Sequence, residues 1–213
     1  MKTITLTNSE LVYLFADKLV SQRSRLVNYD RHHCGEKISI KPLAQAMVTA
    51  AVAQLVDQKY ISLELREVKK LIFLSGKEVF ANRDKNGERE LSGIEQRLIK
   101  NIDQDTKLRD AVYNLLNQDT TSPWGQIVKF SKDSLVGKGW LVPAEEKKMF
   151  VGQMKYAFDP KKREELIGEF ENLKKRFDRF SFDKRMHETI VGAINKGMSA
   201  RVEREDGAGD LDG

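Results

Sequence analysis

The stretch from Pro42 to Val56, PLAQAMVTAAVAQLV, carries no charged residue in a chain in which 32% of residues are charged. From Tyr60 onward the pattern switches to strict alternation. Ile61, Leu63 and Leu65 fall on one side, and Ser62, Glu64 and Arg66 on the other, which is the period of a strand. The uncharged run is shorter than the roughly 20 apolar residues a bilayer span requires. It therefore predicts a helix surrounded by other protein elements. Leu43, Met47, Ala50, Ala51, Val52 and Leu55 cover most of its circumference, and Ala44, Ala46 and Ala53 let neighbours approach closely. Pro42 suits the first turn, where its missing N–H costs nothing. Any fold of this chain must pack other elements around this helix on several sides, and 213 residues can do so within one domain.

The remaining elements are expected around that post. Thr7 and Glu10 have the spacing of a capping box, with Leu6 and Leu11 placed as its hydrophobic staple. Leu11, Leu14, Phe15 and Leu19 then form one apolar stripe. Residues 21–40 are polar and irregular, a loop or short hairpin. Leu71 to Leu74 would pair as a second strand with Ile61–Leu65, followed by a shorter apolar piece at Val79 and Phe80 and a turn at Asn86-Gly87. Helices are expected near 91–102, 108–117 and 123–138, the last stopped by Gly139. A second hairpin is expected over 149–158 around Gly152. Leu166, Phe170, Leu173, Phe177 and Phe180 mark the core seam of an amphipathic helix, and His187 falls on a further predicted helix. The expected fold class is mainly α: a single helical domain over 1–198 around the buried central helix, with one or two small peripheral β-hairpins. Residues 199–213, rich in Gly and Asp, are expected to be a disordered acidic tail.

Charge and motif content limit the function. The net charge is +5, yet the last thirteen residues set only Arg201 and Arg204 against Glu203, Glu205, Asp206, Asp210 and Asp212. The body is therefore more basic than the total, which suits an anionic partner such as a membrane surface or nucleic acid. Cys34 is the only cysteine, so no intramolecular disulfide forms, and the expected location is cytoplasmic. The chain has no GxSxG, Walker loop or GxGxxG, and no cofactor or enzymatic activity is expected. His32, His33 and Cys34 are adjacent, whereas metal ligands are usually spaced to converge; they read as exposed loop residues, with no metal. His187 reads as a surface histidine. The helix–strand–turn–strand order over Leu43–Leu74 is compatible with a winged helix and a nucleic-acid-binding regulator, although the helix lacks the Arg and Lys a recognition helix needs.

Three segments resemble the Golgi phosphoprotein 3 family: LTNSELVYLFA, AMVTAAVAQLVDQKYISLE and WGQIVKFSKDSLVGKGWLVPAEEKKMF. The resemblance implies a helical domain that is a non-enzymatic peripheral membrane protein. It would bind anionic lipid headgroups, phosphoinositides among them, and act as an adaptor for the cytoplasmic tails of membrane proteins. The family's tryptophan before the central helix and arginine within it have no counterpart here, and its basic N-terminal arm is absent from the residues preceding Thr7. The headgroup would then be met by Lys37, Lys41, Lys129 and Lys132. The resemblance also implies a homo-oligomer through the 149–158 hairpin, with Phe150, Met154, Tyr156 and Phe158 at the contact.

Overall fold

The computed structural model describes residues 6–20, 29–71, 74–84, 91–144, 155–180 and 184–202. The uncharged run is the core of α3 (Ile40–Asp57), where Leu43, Met47, Ala50, Ala51, Val52 and Leu55 are all fully buried. Around it pack α1 (Asn8–Leu14), α4 (Gly93–Lys100), α6 (Pro123–Gly137) and α9 (Lys184–Ser199), with α8 (Ile167–Phe180), preceded by the short α7 (Pro160–Glu165), along a further side. Small side chains on α3 permit this crowding on so many sides. Phe15 stacks on Phe170 of α8 at 4.4 Å between ring centroids, closing the core at that end.

Strands are more extensive than the sequence reading expects. Among the described residues helix accounts for 57% and strand for 22%, in three antiparallel sheets with seven strands, so the fold is an α/β mixture and not a mainly helical domain. The first sheet pairs β1 (Tyr29–Arg31) with β2 (Lys37–Ser39), immediately before α3. The second joins β3 (Ile61–Leu71), β4 (Leu74–Arg83) and the short β5 (Thr106–Lys107). The third pairs β6 (Leu141–Ala144) with β7 (Lys155–Phe158).

Two corrections have clear causes. Leu71 to Leu74 is not the second strand: Leu71 ends β3, Leu74 begins β4, and Gly76 sits inside β4 opposite Val68, beside a register shift between Lys69 and Leu71, where a bulge tolerates glycine. The ladder ends with Leu71 opposite Leu74. The second hairpin is not confined to 149–158, because β7 pairs with the strand that follows the Gly139 turn (φ +71°). Phe150, Met154, Asn86, Gly87 and residues 203–213 of the expected tail lie outside the described residues.

The α1 N-terminus explains how the helices lock together. Every residue of α1 is buried, so its unpaired N–H groups cannot turn to water. The Thr7 N–H donates to Glu10 Oε2 at 2.7 Å, and the Glu10 N–H reaches Thr7 Oγ1 at 3.4 Å, completing the capping box. The Asn8 N–H donates to Gln54 Oε1 of α3 at 2.6 Å, and the Ser9 N–H to Glu95 Oε1 of α4 at 2.9 Å. Glu10, fully buried, is met by Lys138 Nζ at 2.7 Å and by the Ser134 hydroxyl at 2.6 Å, both from the α6 end of the chain. Burial, with a smaller contribution from the Glu10 charge, raises Glu95 to about 7, offset in part by its hydrogen bonds from Ser9.

Two measurements test this packing. Because the folded Glu95 holds its proton above the unfolded value, its contribution to stability is complete below pH ~4.5 and is lost as pH rises to about 7. Wild type should lose about 3 kcal/mol relative to Glu95→Gln over that window, and the difference should stay flat outside it, read from urea unfolding at each pH. At the α5 (Leu108–Tyr113) contact with α9, a methyl group on Gly197 would overlap the Arg109 carbonyl oxygen and stand 3.0 Å from Tyr113 N. Gly197→Ala should cost about 2 kcal/mol, whereas Gly192→Ala, which meets nothing, should be neutral or stabilising.

Candidate functional site

The β1–β2 hairpin organises the residues with chemical potential. Its turn is closed by the Gly35 N–H bonded to the His32 carbonyl at 2.9 Å, with Gly35 in the left-handed region at φ +83°. Strand alternation then separates two faces. Tyr29 and Arg31 point outward, while Asp30 and His32 point to the protein, only 7% and 3% exposed.

The inward face docks on the break between α1 and α2 (Ala16–Leu19). His32 Nε2 lies 2.6 Å from the Tyr13 carbonyl oxygen and His33 Nε2 lies 3.0 Å from that of Leu14. A carbonyl only accepts, so both rings carry their proton on Nε2 and satisfy carbonyls left over at a helix end. Burial lowers His32 to about 4 and His33 to about 3, the latter also through the neighbouring His32, so both rings are neutral at pH 7. The expected exposed loop is thus corrected: the two histidines anchor the hairpin. Cys34 Sγ sits 2.9 Å from His32 Nδ1, with its thiol pushed up by burial. His187 is also partly buried rather than a surface residue.

Asp30 accepts from the Tyr13 hydroxyl at 3.2 Å and forms an ion pair with Lys132 of α6. Burial first, and then Asp30, raises the Tyr13 phenol well above its ordinary value.

The outward face forms one wall of an open groove of about 580 Å³ lined by Tyr29, Arg31, Ile40, Lys129, Asp133 and Tyr156, with Asp30 and Lys132 at its base. Of the four lysines expected from the sequence, Lys129 and Lys132 line this groove. Lys37 and Lys41 are not among its lining residues: the Lys37 ammonium is 4.5 Å from the ring of Tyr29, which is, and Lys41 stands 5.8 Å from the ring of Trp124 in the first turn of α6. Arg31 was not singled out from the sequence. It lies directly across the ladder from Lys37, a like-charge pair that a hairpin normally avoids. The Tyr29 phenol is drawn below its usual value by a hydrogen bond from Arg31 and then by the Lys37 charge. The only sequence signal for Arg31 would have been this cross-strand pairing, which requires the register.

Of the expected oligomer contacts, Tyr156 lines the groove. Phe158 is buried against His33, with their rings 5.2 Å apart. No protein-family model, curated protein or solved structure matches the chain.

The lysines of the groove differ in role, and stability separates them. Lys132→Met should cost about 3 kcal/mol, because it leaves Asp30 charged and buried without its partner. Lys129→Met should change the unfolding free energy read from urea titration by less than about 0.5 kcal/mol, as for an exposed side chain.

Proposed function

We propose that this groove binds the phosphorylated headgroup of an anionic lipid and that the protein is a non-enzymatic, peripheral membrane binder. The reading is carried by Arg31 and Lys129, which line the groove from the hairpin and from α6, and by Lys37, the like-charged cross-strand neighbour of Arg31. An anion placed between them relieves their repulsion and gains charge-assisted hydrogen bonds, which are roughly twice as strong as neutral ones. Asp133 in the same wall can accept from headgroup hydroxyls, so a phosphorylated polyol fits better than a bare phosphate. The volume lies within the range of small-molecule sites. Trp124 and Lys41 beside the groove have the character of residues that sit at a membrane interface, an aromatic body with a nearby cation. No helix among the described residues is long and apolar enough to cross a membrane, in keeping with attachment from one side.

Under this reading Lys132 acts as support, fixing Asp30 and the hairpin, while Arg31 and Lys129 face the ligand. The nucleic-acid alternative depends on α3 entering a groove, and its buried surface leaves no face for that. Binding of membrane-protein tails and self-association through the 149–158 segment remain part of the proposal, resting on the family resemblance alone.

Flotation with liposomes containing an anionic phosphorylated lipid tests the reading. Each cation near an anionic surface contributes about 1 kcal/mol, so Arg31→Ala with Lys129→Ala should weaken binding roughly thirtyfold at low salt. Screening should reduce wild-type binding at physiological salt. Absence of flotation at low salt, or retention of full affinity by the double variant, overturns the assignment. Binding to duplex DNA without binding to liposomes would favour the nucleic-acid reading instead.

A further inference from the structure

We propose that Asp17, His32 and Cys34 form a binding site for a zinc-class divalent ion, with water completing the coordination. A carboxylate oxygen of Asp17, a ring nitrogen of His32 and Cys34 Sγ lie within 4.8 Å of one another, contributed by two segments that meet only in the folded chain, and His32 Nδ1 is 2.9 Å from Cys34 Sγ. Three kinds of donor converge: hard oxygen, borderline nitrogen and soft sulfur. Magnesium and calcium do not choose thiolate ligands, so the set selects zinc or its spectroscopic stand-in cobalt.

The surroundings prepare each donor. Because His32 Nε2–H is spent on the Tyr13 carbonyl at 2.6 Å, the ring presents the Nδ1 lone pair to the site, the outer-shell arrangement by which proteins orient ligating histidines. Asp17 is held by Arg163, whose Nη2 lies 2.6 Å from both carboxylate oxygens, leaving further lone pairs on each. Cys34 and Asp17 are only partly buried, so an ion can enter from solvent and keep a water as its fourth ligand. Without metal the thiol donates to Nδ1 at 2.9 Å. Binding exchanges that proton for the ion: the S–H bond breaks, the sulfur keeps its electron pair for the metal, and the proton leaves to solvent. A tetrahedral zinc, with Zn–S of about 2.3 Å and Zn–N of about 2.0 Å, needs sulfur and nitrogen roughly 3.5 Å apart. The thiol must therefore swing outward by about 0.6 Å, a movement its place in the turn permits. The ion would tie the β1–β2 turn to α2, the surface opposite the groove on the same hairpin. The inference does not depend on the lipid-binding proposal.

The test uses cobalt with the reduced full-length chain. Cys34 is the single cysteine, so any thiolate-to-cobalt charge-transfer band reports this site alone. Wild type should show the band at one equivalent, together with intense tetrahedral visible absorption, and zinc should abolish both. Cys34→Ser, close to isosteric and verified as folded by circular dichroism, should lose the band and bind zinc at least about a hundredfold more weakly in a chelator competition. Asp17→Asn should keep the band while weakening zinc at least about tenfold. A folded wild type that shows no charge-transfer band overturns the site. Zinc affinity unchanged in either variant does the same.

Discussion

Burying a helix N-terminus commits a protein to supplying acceptors for N–H groups that water would otherwise satisfy. In this molecule that requirement falls on α1, and each of its first four N–H groups finds a side chain: Glu10, Gln54, Glu95 and Thr7. Two of these come from α3 and α4, so the position of α1 determines how those helices meet. Glu10 in turn needs a cation, and Lys138 supplies it from the end of α6. Loss of a member of such a network costs more than its own hydrogen bond, because a buried partner is left unsatisfied.

The other end of α1 works by the same logic with opposite polarity. At the break before α2, carbonyls remain, and the neutral imidazoles of His32 and His33 donate to them. This clamps the β1–β2 hairpin inward through Asp30 and His32 while its outer face carries Tyr29 and Arg31 toward α6. The proposed lipid groove and the proposed metal site are therefore two consequences of one docked hairpin. The strand β1 presents Tyr29 and Arg31 to the groove, while the turn that follows it carries His32 and Cys34 to α2.

Legibility in the sequence followed the range of the interaction. The capping box of Thr7 and Glu10, the buried helix and the Gly139 turn were all readable, because each depends on residues a few positions apart. The strands were under-read for a related reason. β5 has two residues and no apolar pattern, and β4 runs through Gly76, so only pairing with neighbours makes them strands. In the candidate site Lys129 and Lys132, three positions apart on one helix, were named through the family resemblance. Their division of labour, one paired with Asp30 and one facing the groove, has no trace in that spacing.

The sequence by itself determined that a charge-free helix must be enclosed, that a strand must follow it, and that the body of the chain is basic. Hydrophobic burial and backbone periodicity are local properties, and composition carries charge directly. Tertiary structure alone decided where that charge becomes a site and which polar residues are structural. Arg31 becomes a partner of Lys37 only through strand register, and Asp17 meets Cys34 only when the hairpin docks on α2. Gln54 and Glu95 become caps only because α1 is buried against their helices. Such roles arise from unsatisfied groups meeting across the fold, and no linear pattern records where those groups will come to rest.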